Sequence, residues 1–170
     1  MQGYKEISYL DGIRAAAEHL QHGGVFLSVG GDTPNTMTIG WASIGYMWKK
    51  PVFTVLVRPQ RHSYDMLLRA GEFTVSVPLN DELRRQLAFA GTASGRDINK
   101  FAGHGLTALP AKEVSAPIVS ECSLHFECKT RLVQPMTPEQ MDPELVRGIY
   151  AAGDYHIMFF GEILRCYIAE

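Results

Sequence analysis

Between Asp32 and Asp65 the chain carries no carboxylate, yet Lys49, Lys50, Arg58, Arg61 and His62 all fall inside that window. Over the whole chain charge nearly balances, with 16 Lys and Arg against 18 Asp and Glu. The formal net charge of −2 exerts no global pull toward nucleic acid or an anionic membrane, so anion recognition must be local. Cysteine is sparse: Cys122, Cys128 and Cys166 are an odd number without CxxC spacing. That argues against a disulfide framework or a zinc cluster and suits a reducing compartment, with the three as small core hydrophobes. There is no GxGxxG and no GxxxxGKS/T, so neither a Rossmann site nor a P-loop is supported. His125 and the cysteines have no metal-ligand spacing, and no serine or cysteine sits in a nucleophile signature. No apolar run approaches the length of a membrane span. The opening "MQGYKEISYLDGIR" has early acids and no continuous apolar region, unlike a signal peptide. The expectation is a soluble cytoplasmic protein with neither nucleic acid nor membrane as partner.

What is present is an ordinary globular balance, 46% hydrophobic and 20% charged over 170 residues, which fits one domain spanning residues 1–170. Tyr9, Leu10, Ile13, Ala16, Ala17 and Leu20 follow helical spacing, and Gly23-Gly24 ends the pattern. "GGVFLSV" and "TMTIGWASIGYMW" read as strands joined by turn chemistry at residues 30–35, and "PVFTVLV" as a strand buried on both faces. "SYDMLLRAG" reads as a short helix with Ser63 as N-cap and Gly71 as stop. "EFTVSVP" is a strand, followed by a helix from Asp81 through Phe89, and "INKFAGHG" has room for at most two turns. A long strand is expected from Pro117 to Val133, with Cys122, Leu124, Phe126 and Cys128 on one face and Ser123, His125 and Glu127 on the other. "DYHIMFFGEILRCYI" forms the last strand, where Gly161 marks a bulge or a close backbone approach. Consecutive short strands joined by turns favour an antiparallel barrel over a doubly wound sheet.

Four stretches carry candidate chemistry. In "VRPQRHSYD", Arg58, Arg61 and Ser63 are either a phosphate cradle, guanidinium forks beside a helix N-terminus, or a solvated strand-to-helix turn. In "NTMTIGWAS", alternation places Thr36, Thr38 and Gly40 opposite Met37, Ile39 and Trp41. That is either a polar strip where a planar ligand reaches backbone or a half-exposed barrel strand. "TASGRDINK" offers hydroxyls and two cations four positions apart, either as ligand contacts or as a capped, solvated helix start. His156 and Glu162 share strand parity, which suits proton transfer or a structural histidine.

In this order, "GGVFLSV", "NTMTIGWAS", "PVFTVLVRPQRHSYDML", "GEFTVSVP", "TASGRDINKFAGHGLT" and "HIMFFGEIL" resemble the flavin reductase-like family of FMN-binding split barrels, its flavoredoxin-type branch above all. The resemblance runs from about Gly23 to Glu170. It implies a mainly β fold, a six-stranded antiparallel Greek-key split barrel with short peripheral α-helices, usually a homodimer that holds FMN noncovalently near the subunit interface. It implies an isoalloxazine against Asn35–Ser43, with Asn35, Thr36, Met37, Thr38, Trp41, Ala42 and Ser43 as contacts. Arg58, Arg61, Ser63 and Tyr64 then hold the phosphate, with Ser94, Arg96 and Lys100 as a second set, and His156 lies near the ring or nicotinamide. Relatives often carry "RYS" or "RYT" where this chain has Arg61-His62-Ser63. The implied activity is NAD(P)H-dependent flavin reduction or flavoredoxin-like electron transfer, with NADH or NADPH as donor and a redox partner protein as a further acceptor. Two alternatives stand beside it: an FMN module reduced only by a partner protein, and a barrel binding another planar phosphate ligand.

Overall fold

The computed structural model describes residues 3–170. Its strands are β1 (Tyr4–Glu6), β2 (Val25–Val29), β3 (Asn35–Ile39), β4 (Ala42–Met47), β5 (Lys50–Val57), β6 (Glu72–Val77), β7 (Ala108–Leu109), β8 (Ile118–Val119), β9 (Leu124–Pro135) and β10 (Ile157–Ala169). The helices are α1 (Tyr9–Gln21), α2 (His62–Ala70), α3 (Arg84–Thr92) and α4 (Pro143–Ile149). The main sheet is antiparallel throughout and runs β3-β2-β6-β9-β10-β5-β4, with β1 added along β10.

The two edge strands, β3 and β4, are neighbours in sequence. Only Gly40 and Trp41 separate them, and three Cα–Cα steps span roughly 11 Å at most. The sheet must therefore curl until its edges nearly meet, which makes a barrel closed by chain rather than by a hydrogen-bond ladder. Counted as one bent strand, β3 and β4 complete the expected six. The run "TMTIGWASIGYMW" is thus not one straight strand. Its first half pairs with β2 and its second with β5.

The barrel fills with inward residues of β2, β3, β5, β6, β9 and β10, among them Leu27, Ile39, Phe53, Val55, Phe73, Val75, Phe126 and Phe159, all buried. β2 is buried on both faces, because Phe26 joins Leu83, Leu87, Ala90 and Leu106 in a second cluster outside the barrel. β4 turns into β5 through Trp48 and Lys49, both at positive φ (52° and 60°). Two such residues in a two-residue hairpin loop match the right-handed twist of the strands they join.

Several elements differ from the sequence reading. Ser63 does not cap α2. Arg61 stands at the N-cap without a side-chain bond, and Ser63 lies inside the first turn, accepting a hydrogen bond from Asn35 Nδ2 at 2.8 Å. α3 starts at Arg84 rather than Asp81 because Asn80 Oδ1 accepts the Glu82 N–H, closing a turn that holds residues 80–82 out of the helix. Residues 98–105 form turns with no helix. The first five residues of β9 are buried on both faces. Glu127 is fully buried and accepts from the N–H groups of Lys112 (2.8 Å), Glu113 (2.6 Å) and Val114 (3.2 Å) and from Tyr167 Oη (2.7 Å). Those bonds fasten the 112–114 loop over the sheet.

Gly161 is both a bulge and a close approach. The β9–β10 register shifts beside it, and a Cβ there would sit 2.5 Å from Phe73 Cζ and 2.9 Å from Cys128 Cβ. Gly161→Ala is expected to destabilise the protein by about 1–3 kcal/mol, the range for overpacking a filled core. Urea unfolding midpoints measure this, and an unchanged midpoint would mean that Phe73 moves aside freely.

Candidate functional site

The gap between the barrel's edges opens into a cleft of about 390 Å³. One wall is backbone and side chain from Met37 to Trp41, and the other is Leu56, Arg58 and His156. Edge strands leave unpaired N–H and C=O groups along their free side, so this wall offers donors and acceptors to a planar molecule. A narrower pocket of about 110 Å³ continues from it, sharing Met37, Gln60 and Arg61. The first turn of α2 and the 92–96 loop enclose that pocket, with Ser63, Ser94, Arg96 and Lys100 in its lining.

The narrow end is cationic. Lys100 is buried, and its Nζ donates only to the Ala90 carbonyl at 2.8 Å. Burial and the neighbouring Arg61 charge bring its pKa down to about 8. Arg61 Nη2 likewise donates to a carbonyl, that of Gly91. Arg96 donates to the Gln60 carbonyl at 3.0 Å and lies 3.8 Å from Asp65. Burial, together with the Arg96, Lys100 and Arg69 charges, lowers the pKa of His62. Arg96 has Asp65 beside it, but Lys100 and Arg61 meet carbonyls, which do not balance their charge. Gly95 keeps the pocket open, since a Cβ there would collide with Asn35 Oδ1 and stand 2.7 Å from His62 Cδ2.

At the wide end, Asp154, Arg58, His156 and Tyr150 form a chain. Arg58 Nη1 donates to Asp154 Oδ2 at 2.8 Å, and Arg58 Nε donates to His156 Nε2 at 3.4 Å. An acceptor role at Nε2 assigns the proton of the neutral ring to Nδ1. Nδ1–H then donates to Tyr150 Oη at 2.8 Å, and the Tyr150 hydroxyl donates to Met136 Sδ at 3.2 Å. Burial first, then the Arg58 charge, lowers the His156 pKa to about 4, with Asp154 partly opposing. The ring is neutral at pH 7 and both nitrogens are engaged. His156 therefore lines the cleft without a proton free to give.

The cleft and pocket thus bring together Asn35, Met37, Thr38, Trp41, Arg58, Arg61, Ser63, Ser94, Arg96, Lys100 and His156. Within the cleft, Arg58 is held by Asp154 and does not line the narrow pocket. Other candidates lie elsewhere or are already engaged. Thr36 is fully buried, bonded to Ser28 Oγ and the Leu27 carbonyl, and lines neither cavity. Thr38 spends its hydroxyl on the Leu87 carbonyl at 2.6 Å. Tyr64 packs edge-on to Phe159 against the core. Ala42 and Ser43 line an apolar groove of about 530 Å³ beyond Trp41, between α1 and α4. Glu162 is far from His156, paired with Lys50 at 2.5 Å and with Arg131. Gln60, Gly95, Tyr150 and Asp154 were missed. Gln60 stood in view between the two arginines, whereas nothing local marked the other three.

The family model described as a flavin reductase like domain matches residues 19–170. The chain belongs to the flavin reductase-like family. It is 31% identical over 149 residues to an uncharacterized protein of Archaeoglobus fulgidus, covering 87% of this chain and 73% of that one. Flavoredoxin of Desulfovibrio vulgaris (Miyazaki F) superposes with a TM-score of 0.68 at 28% identity, over 86% of this chain and 69% of that one. That likeness places the chain on the flavoredoxin branch. An FMN-binding protein from Thermus thermophilus shares the fold, with a TM-score of 0.66 at 20% identity over 84% and 68% of the two chains. Family membership carries a flavin-binding function of oxidoreductase type. Among the described residues no helix is long and apolar enough to cross a membrane, and no group of three His, Cys, Asp or Glu side chains is placed to hold a metal.

An anion in the narrow pocket favours the charged form of Lys100. Its binding is expected to be full below pH about 8 and to weaken above, as the amine loses its proton. Millimolar sulfate should raise the melting temperature more at pH 7 than at pH 9.5, and Lys100→Met should remove that difference. A gain equal at both pH values places the anion elsewhere.

Proposed function

We propose that this chain binds FMN noncovalently, with its phosphate in the Arg61–Lys100 pocket and its ring in the Met37–Trp41 cleft, and works as an NAD(P)H-dependent flavin reductase or flavoredoxin-like electron carrier. The observation that carries this reading is the joining of two cavities of different character at Gln60 and Arg61. One is wide, flat and half apolar, and the other is narrow and cationic with carbonyls as partners for its buried amine. A planar ring bearing a phosphate tail fits that sequence of spaces. Residues 1–170 are read as one such domain.

In this arrangement Arg61, Arg96 and Lys100 neutralise the phosphate, while Ser63 and Ser94 offer hydroxyls beside it. Guanidinium and ammonium donors to a phosphate are charge-assisted and stronger than neutral pairs. The strand wall orients the ring through backbone groups, and Leu56 and Trp41 limit water. When bound, the flavin supplies the electron chemistry itself. Arg58 presents positive charge at the cleft, which favours the more negative, reduced form of the ring. The apolar groove shares Gly40, Trp41 and Leu56 with the cleft, giving a nicotinamide donor or an acceptor a route of approach. Tyr46, Met47 and Trp48 are exposed at the β4–β5 tip, which supports the homodimer that the family resemblance implies.

The engaged nitrogens of His156 favour a second reading, in which a partner protein delivers the electrons and nicotinamide does not. An anaerobic spectrum of the FMN-loaded protein separates the two. Rapid bleaching by NADH or NADPH is the expected outcome and names the donor, whereas bleaching by dithionite alone leaves the partner-fed carrier.

The two arginines should behave differently. Arg61→Ala is expected to weaken FMN by roughly 10- to 150-fold, from the 1.5–3 kcal/mol of a hydrogen bond to a charged group, and to leave riboflavin nearly unchanged. Arg58→Ala should not distinguish FMN from riboflavin. Fluorescence titration of both flavins measures this, and equal losses for Arg61→Ala would refute the phosphate assignment.

A further inference from the structure

Arg58 lines the wide cleft but not the narrow pocket, and its surroundings fix where its charge goes. Asp154 takes Nη1 at 2.8 Å, and the Gln60 amide also donates to the same Asp154 oxygen. Nε is turned to His156, and the guanidinium carbon stands 5.9 Å from the centre of the Tyr150 ring. Asp154 comes from the short segment between α4 and β10, two residues before His156, so one stretch of backbone positions both partners of Arg58. Burial pulls the Asp154 carboxyl upward, but the hydrogen bonds from Arg58 and Gln60 outweigh it and hold its pKa below the usual range. Asp154 is therefore ionised at neutral pH. Its charge opposes that of Arg58 beside the cleft.

We propose that Asp154 is a positioning residue that withholds Arg58 from the phosphate pocket, aims it at the ring cleft and, by partly cancelling its charge, sets the reduction potential of the bound flavin. The inference rests on the ring lying in the Met37–Trp41 cleft, as argued above. Reduction adds negative charge to the ring system, so a nearby cation favours the reduced form and a nearby carboxylate opposes it. A full guanidinium charge would raise the potential, while an Arg58–Asp154 pair held at 2.8 Å leaves a smaller, directed field. The pair is only part-buried, with side-chain exposures of 33% and 29%, so a ligand covering it strengthens the effect by excluding water. His156 completes the device. It is neutral and accepts from Nε, so it fixes the guanidinium plane without adding charge.

Asp154→Asn keeps the shape and the hydrogen-bond acceptor for Arg58 and Gln60 while deleting the charge. The FMN-loaded variant should show a higher midpoint potential in a dye-equilibrated anaerobic titration. The expected shift is about tenfold in the equilibrium between oxidised and reduced flavin, or about 30 mV for a two-electron couple. Arg58→Gln should shift it the opposite way. In the Arg58→Gln background, Asp154→Asn should move the potential much less, because the charge it acts on is gone. Asp154→Glu should restore most of the native value. A potential unmoved by Asp154→Asn, or moved equally with and without Arg58, overturns the proposal while leaving the flavin site intact. Failure of the native protein to take up flavin overturns the site assignment and this inference with it.

Discussion

Two residues, Gly40 and Trp41, join strands at opposite edges of one sheet, and the rest of the molecule follows from that short tether. Because so little chain spans the gap, the sheet must curl and enclose the apolar faces of β2, β5, β6, β9 and β10 as a common core. The seam is closed by covalent connection instead of a ladder, so edge groups remain free along β3 and β4. The cleft lies at that seam. The feature that completes the barrel also leaves a polar, open wall for a ligand.

Electrostatics divide the site into two ends. At the narrow end, Lys100 and Arg61 meet carbonyls, a poor substitute for a counter-anion, and burial with the Arg61 charge lowers the amine's pKa. At the wide end, Arg58 meets a carboxylate and is partly compensated. Two arginines three positions apart thus have different partners and different tasks. The tight turn at residues 58–61, where the Arg61 N–H bonds the Arg58 carbonyl at 3.0 Å, sends their side chains to opposite ends.

Much of the barrel was legible because strand patterning is local. The β2, β5 and β6 runs are dense in β-branched and aromatic residues, and α1 shows a clean helical stripe from Tyr9 to Leu20. What misled was chemistry without a local signature. The hairpin tip uses Trp48-Lys49 where an Asn-Gly pair would have announced a turn, and the break at Gly40-Trp41 is a single glycine in an otherwise strand-like run. Glu127 alternates with core residues as a solvent-facing position should, and only the distant 112–114 loop makes it buried. The site divides in the same way. Arg61, Ser94, Arg96 and Lys100 were legible as cations and hydroxyls near a helix start. Asp154 and Tyr150 were not, since Asp154 bonds Arg58 across 96 residues of sequence and the Tyr150 ring meets the same distant guanidinium. Thr36 and Thr38 looked available because alternation shows which face a side chain takes but not what already stands there.

The unlatched seam also bears on how the chain reaches its final form. Pairing within β2–β3 and β4–β5 is short-range, whereas the path that links these two hairpins into one sheet runs through β6, β9 and β10 from farther along the sequence. Contacts between distant segments are slow to form. One wall of the cleft comes from the β2–β3 side and the other from β5 and the start of β10, so a ligand that spans both walls binds the closed form and not the open one. Such a ligand stabilises the closed barrel by mass action. A ligand held across both walls therefore also shields the chain from proteolysis of its open form, because it lowers the population in which the seam is parted.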